Sequence, residues 1–280
     1  MNPPQKEATS REGLLPVSVR CPWWAPPLLA IQFLTRVPVP GVASLTGEQA
    51  RLGLTRAVGW FPLVGALVGA VTVVTLLLAE QLWPRFVAVI LALIVEARLT
   101  GAFHEDAVAD FCDGVGGGRD PAHVREIMKD SRIGSYGALG LLLAVALRAS
   151  LMVSLEPSRL AIAIIAAASF GRLLAVIAMV SIAPAPRGEG LAKDVGAGIR
   201  TRDVMLAVLT ASPALLAYAF IAPVAVSFAL AASTMFLLWF RVLVLRRAGG
   251  STGDCLGFAA YVGQLIVLLT ATTAAIAMTP

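Results

Sequence analysis

Seven stretches of the chain are nearly unbroken apolar runs, near 58 to 80, 85 to 103, 134 to 155, 160 to 183, 203 to 221, 224 to 245 and 256 to 278. Each has about the 20 residues that an α-helix needs to cross the hydrocarbon core of a bilayer. Lipid offers no hydrogen-bond partners to the backbone, so a run of this length and polarity predicts a helix, which satisfies its own N–H and C=O groups. The pattern therefore predicts an all-α, polytopic membrane bundle of about seven transmembrane helices. Four polar segments fall on one side of the spans, and the connections on the other side are almost bare. A shorter apolar stretch, Ala30 to Pro40 (AIQFLTRVPVP), closes on two prolines and reads as a membrane-surface or re-entrant segment. Residues 1 to 23 lack any such pattern, which predicts a disordered tail ahead of a single membrane-embedded domain spanning 24 to 280.

Composition agrees with the pattern. Hydrophobic residues make up 58% of the 280 and charged residues only 14%, against about 25% charged in a soluble domain. Cys21, Cys112 and Cys255 form no C-x-x-C pair and the chain has only two histidines, which excludes a zinc site and predicts free thiols. No charged segment leads into an apolar core with a small-residue cleavage site, so no removable signal peptide is expected. Of the 22 basic residues, six precede the first span, four lie in 104 to 133, four in 184 to 202 and two in 246 to 255. The opposite side holds only Arg85 and Arg159, and the remaining four, Arg98, Arg148, Arg172 and Arg241, fall within the spans. The positive-inside rule then puts all four polar segments in the cytoplasm. The net charge of +5 is a topology signal, and nothing points to nucleic acid.

Candidate chemistry is concentrated in His104-Glu-Asp-Ala-Val-Ala-Asp-Phe-Cys-Asp-Gly-Val-Gly-Gly-Gly-Arg-Asp120. On a helix, Asp106, Asp110 and Asp113 share one stripe at i, i+4, i+7. Carboxylates so close repel, and they are relieved by a proton or a cation. Oxygen-only ligands suit Mg²⁺, and a Mg²⁺-bound diphosphate is the natural substrate. The glycines that follow would let backbone N–H groups at Gly116, Gly117, Gly118 and Arg119 approach an anion, or would serve as a plain linker. Asp120-Pro121 predicts an N-cap and first residue of a short helix to Ser131. Along it Arg125, Lys129 and Arg132 repeat the same spacing with opposite charge, either to orient phosphates or to pair with the aspartates. Two further cytoplasmic loops offer Arg187, within PRGEGL, and Asp254, within GGSTGD; Asp254 could equally cap the last helix. Within the spans, Arg172 needs a partner or a wet cavity; Glu96 is the expected partner, in a structural ion pair first and a substrate contact second.

The run HEDAVADFCDGVGGGRD followed by EIMKDSRIGSYG at 126 to 137 resembles the signature of the adenosylcobinamide-GDP ribazoletransferase, or cobalamin 5'-phosphate synthase, family. Supporting stretches are QFLTRVPVP at 32 to 40, WFPLVGALVGA at 60 to 70, RGEGL at 187 to 191 and GGSTGDCLG at 249 to 257, so the resemblance covers roughly 30 to 260. Family members usually read H-L-D-G-L-A-D-T-A-D-G. Glu105 here replaces an apolar residue and Ala107 a glycine, while the aspartates, His104 and Gly114 are kept. The resemblance implies a late step of cobalamin (vitamin B12) biosynthesis at the bacterial inner membrane. Adenosylcobinamide-GDP and α-ribazole, or its 5'-phosphate, would give the cobalamin and GMP. It implies Mg²⁺ on Asp106, Asp110 and Asp113, a carboxylate or His104 as proton acceptor, and association with other cobalamin-assembly enzymes.

Other Mg²⁺-dependent diphosphate chemistries fit less well. A CDP-alcohol phosphotransferase needs D-G-x-x-A-R ahead of its later aspartates, a prenyltransferase normally shows two aspartate motifs, and a transporter would show paired broken helices. Topology gives a direct test. Reporter fusions after Ser131 and Thr252 should report cytoplasm and a fusion near Glu156 the opposite side; a periplasmic signal from the 104 to 133 loop overturns the arrangement.

Overall fold

A computed structural model describes residues 20 to 186 and 198 to 276. Most of the expected tail, 1 to 19, and the expected contact Arg187 lie outside the described residues. The chain forms helices α1 (Ala25–Leu34), α2 (Gly47–Ala57), α3 (Phe61–Ala79), α4 (Arg85–Thr100), α5 (Phe103–Gly117), α6 (Pro121–Ile127), α7 (Ser135–Ser154), α8 (Pro157–Ser181), α9 (Thr201–Ile221), α10 (Pro223–Arg247) and α11 (Gly253–Ile276). Among the described residues six helical segments are long and apolar enough to cross a membrane, seven if the bent pair α4–α5 counts as one span. The expected multi-pass helical bundle is borne out, with the spans within a few residues of the apolar runs.

One local expectation is corrected and two features go beyond the sequence reading. The second run ends where expected, at Thr100, and the chain then turns by 88° between α4 and α5. Gly101 (φ 71) and Ala102 (φ 56) both take left-handed backbone there, and Ala102 does so against the steric cost of its Cβ. The apolar segment near the N-terminus folds as a helix that starts earlier, at Ala25, with proline in its first turn, and ends at Leu34, ahead of Val37-Pro38. Finally, α2 was not expected. It is a polar helix held by a capping box in which the Thr46 hydroxyl accepts from Gln49 N at 3.3 Å and the Gln49 side chain accepts from Thr46 N at 3.0 Å.

Helix α8 forms the centre of the bundle, buried along most of its length between α3 and α11. Small residues make this possible: a Cβ on Gly65 would meet the Ala168 carbonyl oxygen at 2.4 Å, and one on Gly171 the Ala260 carbonyl oxygen at 2.3 Å. Close backbone approach is the usual means of helix association in lipid, where apolar burial alone drives nothing. By contrast α9 and α10 expose Leu216, Phe220, Phe228, Met235 and Leu238 on their outer faces, as a lipid-facing surface requires.

A buried charge cluster ties the helices together, although not with the expected partner. Glu96 on α4 accepts two hydrogen bonds at 2.8 Å from Arg148 on α7, and a third at 2.7 Å from the Thr72 hydroxyl on α3. Arg148 also reaches Glu105 at 3.7 Å and sits 5.7 Å from the centre of the Tyr261 ring. Among the described residues Arg172, the partner expected from sequence, forms no ion pair: it donates to Ala168 O in its own helix at 3.1 Å, and its Nε is buried with no hydrogen-bond partner there. Helix α4 packs on α7 and α3, and that neighbourhood decides the pairing. Arg148→Met should lower stability by about 3–5 kcal/mol, because it strands a buried carboxylate. The double variant with Glu96→Gln should recover most of the loss in denaturant unfolding in micelles.

Candidate active site

Helix α5 carries the aspartate stripe at the junction of α7 and α11. Its approach to α11 is set by Gly257, where a Cβ would meet the Ala107 Cβ at 2.4 Å. That contact brings the first turn of α11, and with it Asp254, against the stripe. Asp106 is exposed, Asp110 half-buried and Asp113 buried. Asp110 lies within electrostatic reach of Asp106, Asp254 and Asp113, and Asp254 within reach of Asp106. Four carboxylates gathered in one place favour a bound cation or a shared proton.

Their roles divide differently from the expectation. Both oxygens of Asp113 are engaged with backbone, Oδ2 accepting from Gly134 N at 2.7 Å and Oδ1 from Gly137 N at 2.8 Å. Asp113 thus caps the start of α7, whose own preceding residue, Gly134, has no capping side chain. A Cβ at Gly134 or Gly137 would stand 2.4 or 2.1 Å from the Asp113 carboxylate, so the two glycines of the RIGSYG stretch clear its approach. Asp254 does not cap α11, because Thr252 does so, its hydroxyl accepting from Cys255 N at 3.3 Å. The outward-facing acidic set is therefore Asp106, Asp110 and Asp254. Among the described residues no three acidic, histidine or cysteine side chains are grouped closely enough to hold a metal ion by themselves, so a cation here would draw further ligands from a substrate.

The glycine run differs as well. Residues to Gly117 continue α5, and Gly118 caps it with extended backbone (φ −74), so no left-handed phosphate nest forms there. Gly116 packs against the Tyr136 ring and Gly118 against Val124. Arg247, read from sequence only as a topology charge, closes this end by donating to Val115 O at 2.6 Å and Gly118 O at 2.8 Å. Left-handed glycines occur instead at Gly249 (φ 74) and Gly250 (φ 146). There the backbone clips Ser251 to Ala183 and Ala185 by hydrogen bonds of 2.9 and 3.1 Å.

Asp120 caps α6 as expected, its carboxylate accepting from Ala122 N at 2.9 Å and His123 N at 3.0 Å. The bond from the His123 backbone is the main cause that holds its carboxyl below the usual carboxylate range. But α6 ends at Ile127, so Arg125, Lys129 and Arg132 do not form one helical stripe. Arg125 donates to Ala248 O at 2.5 Å, while Lys129 and Arg119 are exposed. Arg132 is exposed too, and its guanidinium hydrogen bonds push the Asp130 carboxyl down to about 2. None of the three pairs with the aspartate stripe among the described ion pairs. His104 is buried at 4% exposure, edge-on to Phe103 at 5.3 Å.

Residues 26 to 272 match the family model described as cobalamin-5-phosphate synthase. The chain belongs to that family. It is 35% identical over 248 residues to the adenosylcobinamide-GDP ribazoletransferase of Vibrio cholerae, an alignment covering 86% of this chain and 91% of that one. Relatives of the same name from Ralstonia nicotianae (39% over 245 residues, 86% and 92% covered) and Ralstonia pickettii (37% over 248 residues, 88% and 94% covered) are similar along the same length. No solved structure matches the chain. The family match spans α1 through α11, so both sources of the acidic set, α5 and α11, lie inside it.

Because Asp113 answers buried backbone donors and Asp110 sits among like charges, the two should differ in their effect on stability. Asp113→Ala should cost about 1–3 kcal/mol, the penalty of unpaired donors. Asp110→Ala should leave stability unchanged or slightly raised. Denaturant unfolding of the two variants in the same detergent checks the contrast.

Proposed function

We propose that the chain joins adenosylcobinamide-GDP to α-ribazole, or to α-ribazole 5'-phosphate, giving adenosylcobalamin, or its 5'-phosphate, and GMP. The observation that supports this most is the convergence of Asp106 and Asp110 on α5 with Asp254 on α11, in a chain of the cobalamin-5-phosphate synthase family. The donors are all carboxylate oxygens, and Mg²⁺ is commonly held by one or two carboxylates plus substrate phosphates rather than by a closed protein cage. An open acidic row suits that habit, with Asp106 and Asp254 as the outer ligands. Bound there, Mg²⁺ supplies neutralisation of the charge that grows on the departing GMP.

The 3'-hydroxyl of α-ribazole attacks the phosphorus on the cobinamide side of the diphosphate. A P–O bond to the nucleoside forms, the bridging P–O bond breaks, and GMP leaves with the bridging oxygen. The hydroxyl proton passes to Asp110 at the centre of the row, with His104 as the alternative acceptor. Arg125, held by the Ala248 carbonyl, and the exposed Arg119, Lys129 and Arg132 orient the phosphates beside the C-terminal end of α5 at Gly116–Gly118. The site works on the cytoplasmic side of the bacterial inner membrane, where the basic loops collect.

Purified protein in detergent, given adenosylcobinamide-GDP, α-ribazole and Mg²⁺, should release GMP and form cobalamin in equal amounts, and chelation should stop both. Asp106→Ala and Asp254→Ala should each lower the rate by about 100-fold or more. Absence of GMP, or release of pyrophosphate or CMP from other donors, overturns the proposal.

A further inference from the structure

Where the polar helix α2 leads into the span α3, the chain meets the start of α9. The 3₁₀ turn Val58–Trp60 that follows α2 makes the contact: a Cβ on Gly59 would stand 3.0 Å from the Leu206 Cβ, and the Thr210 hydroxyl donates to Gly59 O at 2.7 Å. The second half of α2 is thereby held beside the first turn of α9. Between them lies a cleft of about 280 Å³, lined by Arg51, Thr55 and Arg56 on one side and Arg200, Arg202 and Asp203 on the other. Four guanidiniums thus share the cleft with one carboxylate. That carboxylate is buried and already engaged, accepting from Arg200 N at 2.9 Å and lying 3.7 Å from Arg202 Nε. Arg51 and Arg56 have no carboxylate partner among the described ion pairs. Arg51, Arg200 and Arg202 are exposed, so their donors are open to a ligand. A cleft lined by one sign of charge concentrates the opposite ion.

A second feature says what kind of anion belongs there. An open groove of about 730 Å³ starts at the same Arg202 and runs along α9 over Val204, Met205, Val208 and Leu209. Arg202, Met205 and Leu209 stand at i, i+3 and i+7, so one stripe of the helix carries a cationic head and an apolar tail. Met205 and Leu209 are 67% and 66% exposed on a helix long and apolar enough to cross a membrane, and their surroundings there are acyl chains. We propose that the cleft between α2 and α9 binds one anionic phospholipid, its phosphate held by Arg51, Arg56, Arg200 and Arg202 and an acyl chain laid along α9. Guanidinium forks match phosphate oxygens, and basic pockets beside spans are where acidic headgroups bind. Charge decides the class of lipid, because a choline headgroup brings a cation that four arginines repel. The cleft shares no lining residue with the acidic row, and a lipid so held bridges α2 to α9.

The test reads lipid retention by native mass spectrometry and uses no turnover, so it stands or falls apart from the proposed function. Full-length protein stripped of lipid in a neutral detergent is given equal amounts of phosphatidylglycerol and phosphatidylcholine with the same chains. It should keep one phosphatidylglycerol per chain with a preference of about 25-fold or more, at about fivefold for each arginine near the headgroup. The double variant Arg51→Gln, Arg200→Gln should lose most of that preference, and the corresponding double lysine variant should keep part of it. The headgroup comparison is made on unaltered protein, so a variant that fails to fold leaves it intact. Equal retention of the two lipids overturns the proposal, as does an undiminished preference in the folded glutamine variant. Inorganic phosphate and a short-chain phosphatidylglycerol separate a free anion from a lipid. Each should displace the long-chain lipid only at roughly 100-fold higher concentration, the scale of a few buried methylenes. Displacement by inorganic phosphate at equal concentration marks a site for a soluble anion and overturns the lipid.

Discussion

The constraint on which the rest of the molecule depends is that charge placed inside an apolar bundle must be answered there. Glu96, Arg148 and Thr72 meet this constraint with three hydrogen bonds, and in doing so they pin α3, α4 and α7 to one another. Glu105 extends the cluster to α5. The fold thus anchors the aspartate-bearing helix from beneath by electrostatics that water does not screen.

Two contacts of atomic closeness then set the height and angle of α5. At one end Gly257 lets α11 approach Ala107, and at the other Asp113 draws the start of α7 onto the helix through Gly134 and Gly137. Between them Asp106 and Asp110 face Asp254. A carboxylate spent on backbone thereby orients two that remain free, a division of labour among residues of identical chemistry.

Much of this was legible in the sequence. Long apolar runs have one stable solution in lipid, so the spans fell within a few residues of the helices. Asp120-Pro121 carried its cap in two letters, and Asp254 of the GGSTGD motif lies within electrostatic reach of Asp106 and Asp110 of the acidic one. What stayed hidden depended on what covers a face. Periodicity showed that Asp106, Asp110 and Asp113 share a stripe, but not that α7 would cover the third. Hydropathy located Arg148 and Arg172 in spans, yet the choice between them as partner for Glu96 follows from which helices touch. The polar α2 gave no apolar signal, and the basic stripe failed because α6 stops at Ile127, short of Lys129 and Arg132.

The origin of Asp254 bears on how the molecule is made. Among the described residues five helices, α6 to α10, separate α5 from α11 along the chain, and a chain folds roughly in the order of its synthesis. Until α11 arrives, α5 has neither the Gly257 contact that seats it nor the carboxylate that completes its row. A half-inserted chain therefore exposes aspartates without an assembled reaction centre. On the function proposed above, completion of the bundle and acquisition of chemistry are then a single event.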